Sequence, residues 1–274
     1  MSVGERDQFN KPFEHLFFDV DYIPFPTENN FQSVLDQAKA QMSTGEYAGF
    51  IFEPLVQGAA GMRIYKPEWL DELIRLARKN QLITIADEVM TGFYRTGTLF
   101  AIERLKQKVD IVTLSKGLTG GVMAMGLTVT HQKMFEAFLS DETAKGFLHG
   151  HSFTGNPIAC AAVCASLDLL LSKETRDSVN DIRLCHEMFC AQIKDHPQVK
   201  EAAFIGTILR IEIEIGEVSS YFSDMRAKAY DYFLENELLI RPLGNVIFVN
   251  PPYCITEDEL KYVYHHIETF LDTL

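Results

Sequence analysis

LITIADEVMTGFYRTGTLFAIERLKQKVDIVTLSKGLTGG, residues 82–121, contains two apolar runs that stop on charge. LITIAD (82–87) ends on Asp87, and DIVTLS (110–115) ends just before Lys116. Both runs are short, rich in Ile, Val and Thr, and bounded by polar or glycine residues, which predicts β-strands. Ligands bind at the strand ends of an open α/β sheet. An aspartate and a lysine at two such ends therefore make a candidate site.

Around this pair, strand and helix signals alternate. A helix is expected from Asn30 to Ser43, and AGFIFEP (48–54) reads as a buried strand with an acidic end. The loop QGAAGM follows. PEWLDELIRLARKN (67–80) predicts a helix opened by proline, with Trp69, Leu73, Leu76 and Ala77 on one face. AMGLTVTH (124–131) predicts a strand with a helix after it. Residues 1–30 lack periodicity. The alternation argues for an α/β fold with a mainly parallel sheet sandwiched by helices.

From Asn156 the pattern changes. NPIACAAVCASLDLLL is a long apolar helix rich in small residues, and helix continues over 174–195. Short strands are expected within 199–215, a helix near 224–236, strands at 238–241 and 246–249, and a last helix from Thr256. This looser order suggests a smaller C-terminal α+β lobe. The expected division is 1–171, a partial large domain, and 172–274, a small one.

With 274 residues, 47% hydrophobic and 23% charged, the chain has ample material for a core. A formal net charge of -13 disfavours nucleic acid and anionic lipid as partners. The five cysteines form neither a metal spacing nor an even framework, which points to a reducing compartment. The N-terminal MSVGERDQFN has no apolar signal core, and no apolar run reaches membrane-spanning length. A cytoplasmic protein without a metal is the expectation.

Each candidate residue has a plain alternative. Lys116 alone would be a surface loop lysine; as a nucleophile it needs a lowered pKa, and the DIVTL run and GLTGG loop are expected to supply burial and close backbone approach. SKGLTGG is not a phosphate-binding P-loop, because its lysine precedes the glycines. Asp87 alone would be a helix cap or a surface acid; buried, it requires a cationic or hydrogen-bonding partner. HGHSFTGNP (149–157) lacks a third metal ligand in evident spacing, and Ser152 stands in a pattern one residue too long for a hydrolase elbow. A hydroxyl-bearing turn leading into a helix suits phosphate better. Arg241, in LLIRPLG, is either an inert strand-end arginine or a clamp on a substrate carboxylate. A lysine able to form a Schiff base, with an aspartate to hold a pyridinium nitrogen, is the minimum equipment of a pyridoxal 5'-phosphate (PLP) enzyme.

EPLVQGAAGM, IADEVMTGFYRTGTLFA, LSKGLTGG, HGHSFTGNPIACAA and LLIRPLGNVIFVNPPY together resemble the fold-type I, class III PLP-dependent aminotransferases, over nearly the whole chain. The resemblance implies that Lys116 bonds to the cofactor and shuttles the substrate proton. It implies that Asp87 holds the pyridine nitrogen and Val89 packs on the ring. Ser152 would reach the cofactor phosphate of the neighbouring subunit in a homodimer, and Gly150 and His151 would line the substrate pocket across that interface. Arg241 would bind a substrate carboxylate.

Departures within the motifs point to a branch. Ornithine and 4-aminobutyrate enzymes of this class carry a switch glutamate in a Q-G-E-A-G loop; here the loop is Gln57-Gly58-Ala59-Ala60-Gly61. Met90 replaces a glutamine common in those enzymes. Both favour the branch that moves an amino group from S-adenosylmethionine to 8-amino-7-oxononanoate in biotin synthesis. Phe248 stands where many such enzymes have Tyr, and Tyr94 where Gly is common. Another class III ω-aminotransferase is the alternative. Members of the family also carry a preceding segment with a Gly-Ser turn, a helix and a Y-H-G motif. The chain is accordingly expected to be a fragment, a split gene product or a late start, to bind PLP poorly alone, and to expose apolar surface. A non-catalytic fragment that binds a partner chain is the second functional reading.

Overall fold

Pro67 and an apolar stripe set a strongly amphipathic helix over Pro67–Lys79. In the computed structural model, which describes residues 2–6, 10–215 and 224–274, the first regular helix is α1 (Phe31–Met42), burying Val34, Ala38 and Met42. Strand β1 (Gly49–Phe52) follows. A small hairpin, β2 (Val56–Gln57) with β3 (Arg63–Ile64), leads into α2 (Pro67–Lys79). Leu70, Leu73, Ile74, Leu76 and Ala77 form the buried face of α2. Its buried Asp71 accepts the backbone N–H groups of Lys106 and Gln107 at 2.9 Å, so the one charge on that face is satisfied.

Strands β4 (Ile83–Asp87) and β5 (Ile111–Leu114) run parallel to β1, and β6 (Leu127–Thr130) closes the sheet antiparallel to β5. The order is β1-β4-β5-β6. The sheet is thus mainly parallel, as the alternation predicts. Beyond β6 come a five-residue helix, α3 (Gln132–Glu136), and α4 (Pro157–Leu170). The side chain of Asn156 caps α4, accepting from Ile158 N at 2.9 Å.

A second core gathers α5 (Lys173–Ile193), the antiparallel strands β7 (Val199–Ile205), β8 (Ile208–Ile213) and β9 (Val246–Val249), α6 (Asp224–Glu235) and α7 (Glu257–Asp272). Ile182, Phe189, Leu209, Ile211, Phe233, Ile247, Ile267 and Phe270 fill it. Thr256 and Glu259 form a capping box at the start of α7.

One expected strand is not formed. Over 238–241 the backbone folds back on the end of α6: Leu238 N donates to Phe233 O at 2.8 Å and Ile240 N to Leu238 O at 3.0 Å. Those N–H groups are spent locally, and Pro242 has none to offer. Pairing begins only with the isolated Leu243–Val246 bridge. The expected irregular stretch 1–30 contains one 3-10 turn, Lys11–Leu16; Met1 and residues 7–9 lie outside the described residues.

Candidate active site

The carboxyl ends of β1, β4 and β5 lie side by side: Glu53 follows β1, Asp87 ends β4, and Lys116 stands two residues past β5. Phe52 is opposite Ala86, and Asp87 is opposite Thr113. Glu53 and Asp87 therefore emerge at matched positions, with Lys116 three residues past Thr113. Glu53 lies within electrostatic reach of both Asp87 and Lys116.

Strand alternation separates the consecutive acids Asp87 and Glu88. Glu88 is fully buried and ties down the following loop, accepting from Thr91 Oγ1 at 2.7 Å, Ile102 N at 2.8 Å and Ala101 N at 3.1 Å. Burial is the main force raising its pKa. Asp87 is half-buried on the other side, and its Oδ1 accepts from Val89 N at 3.0 Å. Burial first, then the charge of Asp87, raises the pKa of Glu53, while the N–H of Gly58 at 3.0 Å opposes that shift.

Lys116 opens a 3-10 turn, Lys116–Thr119, and faces a cleft of about 850 Å³. Val89, Met90, Phe93, Gly120, Ser166 and Tyr253 are among the residues lining it. The expected burial of Lys116 is not found: the lysine is exposed at the cleft. The reason is local. β5 ends at Leu114, and Lys116 takes a left-handed φ of 45°, which turns it out of the sheet into the open space.

Asp87, Val89 and Lys116 are thus brought to one edge. Gly150, His151 and Ser152 are not: they lie in an exposed loop in which Thr154 Oγ1 accepts from His151 N at 3.0 Å. Arg241 is exposed and is not part of the cleft lining. In and next to the loop sequence, Phe147, Leu148, Phe153 and Ile158 are each more than 60% exposed. Sequence reasoning noted Glu53 only as an acidic strand end and gave Phe93 and Tyr253 no role.

A carboxylate and a primary amine on neighbouring strand ends, the amine and Val89 lining an open cleft, fit the ring end of PLP. Asp87 suits the ring nitrogen and Lys116 the aldehyde. Among the described residues no group of three His, Cys, Asp or Glu side chains could hold a metal, and no helix is long and apolar enough to cross a membrane.

The family model for aminotransferase class-III matches residues 1–271. The adenosylmethionine-8-amino-7-oxononanoate aminotransferase of Synechococcus elongatus is 38% identical over the whole chain, and that of Geobacter sulfurreducens 33%. The chain spans 66% and 64% of those relatives' own lengths. The crystal structure of adenosylmethionine-8-amino-7-oxononanoate aminotransferase from Methanocaldococcus jannaschii superposes with a TM-score of 0.87 at 29% identity, covering 99% of this chain and 64% of that one. An omega transaminase from Pseudomonas jessenii, solved in complex with PMP, shares the fold at 21% identity, with a TM-score of 0.81 over 90% of this chain and 56% of that one. The fold is therefore the α/β fold of these enzymes, and the chain belongs to the class-III aminotransferases.

Proposed function

We propose that this chain carries the reacting lysine of a PLP-dependent aminotransferase that moves an amino group from S-adenosylmethionine to 8-amino-7-oxononanoate, giving 7,8-diaminononanoate for biotin synthesis. The observation that carries the reading is the edge formed by Asp87, Val89 and Lys116, in a chain whose relatives bear the name of that reaction. Ala59, in place of a switch glutamate, and Met90 favour this branch over ornithine and 4-aminobutyrate enzymes.

Bound PLP supplies an aldehyde that accepts the amino group and a ring that withdraws electrons from the substrate carbon. The residues supply the rest. Lys116 takes the proton from the substrate carbon and returns it at the next position, its amine free to swing in the open cleft. Asp87 would hold the ring nitrogen protonated, because a carboxylate beside it favours the charged form. Val89 would pack against the ring. Arg241 anchors the acceptor's distant carboxylate by a bidentate contact.

The same reading assigns residues 1–171 to the cofactor-bearing domain and 172–274 to the smaller one. It makes the protein a cytoplasmic homodimer, with Ser152 at the phosphate, and Gly150 and His151 at the substrate, of the opposite subunit. Support for the dimer comes from the exposed apolar side chains around that loop, including Phe147, Leu148 and Phe153.

The test is amino transfer by the chain joined to the part of the Synechococcus elongatus relative that it does not span. Conversion of 8-amino-7-oxononanoate with S-adenosylmethionine is expected. Preferential use of ornithine or 4-aminobutyrate would overturn the branch, and no amino transfer with any donor would favour the non-catalytic reading.

A further inference from the structure

Lys116 has a φ of 45°, a region that an L-residue enters only when its surroundings hold it there. The surroundings are specific. A Cβ built on Gly117 would lie 2.9 Å from Phe93 Cδ2 and 3.3 Å from Phe93 Cβ, so the Phe93 side chain rests directly on the backbone that follows the lysine. Phe93 is itself buried and left-handed, with a φ of 59°. Its carbonyl accepts a hydrogen bond from the hydroxyl of Tyr253, 160 residues away in the segment after β9. The Arg95 guanidinium covers the Tyr253 ring at 4.7 Å from its centroid, and its Nη1 donates to Pro251 O at 2.6 Å. On the far side of the lysine turn, Ser115 Oγ donates to Met125 O at 2.8 Å and Ser166 Oγ to Gly117 O at 3.3 Å.

We propose that Tyr253 is a positioning residue for Lys116: its hydroxyl holds the Phe93 carbonyl, and Phe93 in turn holds Gly117 and the entry of the lysine into the cleft. The relay gives the second core control over where the reacting amine stands. It rests on the reading of Lys116 as the reacting lysine. Tyr253 is a better candidate than Ser166 because its bond fixes a buried, strained residue, whereas Ser166 makes one longer bond from a helix surface. A buried carbonyl deprived of its donor relaxes toward another partner, and a displacement of the backbone at Phe93 passes straight to Gly117 because no gap separates them.

The test uses the chain joined to the part of the Synechococcus elongatus relative that it does not span, because the chain alone is expected to bind PLP poorly. The joined protein is treated with PLP and then borohydride: a lysine amine adds to the aldehyde with loss of water, hydride reduces the C=N bond, and the labelled lysines are mapped by mass spectrometry. The quantity read is the rate of labelling at Lys116 divided by that at Lys39, an exposed lysine on α1 outside the cleft lining, at a temperature well below unfolding. The unmodified joined protein is expected to favour Lys116. Tyr253→Phe, which keeps the ring, should lower the ratio by about tenfold. Gly117→Ala should lower it similarly, and adding Phe93→Leu to Gly117→Ala should restore part of the loss. An unchanged ratio in both Tyr253→Phe and Gly117→Ala overturns the relay while leaving Lys116 as the reacting lysine. No preference for Lys116 in the unmodified joined protein overturns the reading and the relay with it.

Discussion

Glu53 and Asp87 stand side by side at the carboxyl ends of the parallel strands β1 and β4, directly after the paired residues Phe52 and Ala86. Two carboxylates so placed, with one lysine beyond them, make the charge balance of the edge depend on the protonation of Glu53. Burial penalises its charged form and Asp87 adds repulsion, so its pKa lies above the ordinary 4.5. The folded state then holds that proton more tightly than the unfolded chain does. Stability from this group is greatest at acid pH and falls as pH rises through the window above 4.5.

Glu53→Gln should abolish that loss. The amide oxygen still accepts from Gly58 N–H, and no carboxylate remains to be ionised. Thermal melts of both proteins from pH 4 to pH 8, in roughly unit steps, are expected to show the variant gaining on the parent as pH rises. Parallel curves would mean that Glu53 does not titrate differently on folding.

His186 works in the opposite sense. It is fully buried, its Nε2 faces Thr207 O at 3.1 Å and its Nδ1 faces the Tyr264 hydroxyl at 2.6 Å. Burial pushes its pKa down from 6.5 to about 4, so the folded state keeps it neutral while the unfolded state binds a proton. Stability is complete above 6.5 and is lost as pH falls toward 4, by up to about 3 kcal/mol. In His186→Gln the acid-induced loss between those limits should be shallower, measured by urea titration at each pH.

Gly206 marks where the two cores touch backbone to backbone. A Cβ there would lie 2.3 Å from Gly97 N and 2.4 Å from Thr96 C, on a residue with a φ of 55°. Gly206→Ala should destabilise the protein by more than about 3 kcal/mol. Gly121→Ala is the control: its φ is 84° but nothing lies within 4 Å, so only the backbone cost of about 1 kcal/mol is expected. Equal melting temperatures for the two variants would contradict a tight junction.

Much of this was legible in the sequence, for local reasons. ITIAD and IVTL are partly buried strands with chemistry-bearing residues at or just past their ends, and helix starts are written in Pro67, Asn156 and the Thr256–Glu259 box. What was not legible is non-local. The partnership of Glu53 with Asp87 depends on strand register, and the Tyr253–Phe93 bond joins residues 160 apart. Nor does any glycine announce that Phe93, Tyr94 and Lys116 adopt left-handed conformations. The strand expected at 238–241 failed because Leu238 N–H is captured by Phe233 O of α6 and Ile240 N–H by Leu238 O, a competition that hydrophobic pattern does not register.

The central claim is that Lys116 and Asp87 form one amino-transfer centre. Its most direct measurement is transfer from S-adenosylmethionine to 8-amino-7-oxononanoate by the joined protein carrying Lys116→Ala or Asp87→Ala, each checked for folding by circular dichroism. The predicted result is a rate lowered by roughly 100- to 10,000-fold in both variants, with melting temperatures close to the parent's. Retention of more than about a tenth of the parent rate by folded Lys116→Ala, well outside that range, would contradict it.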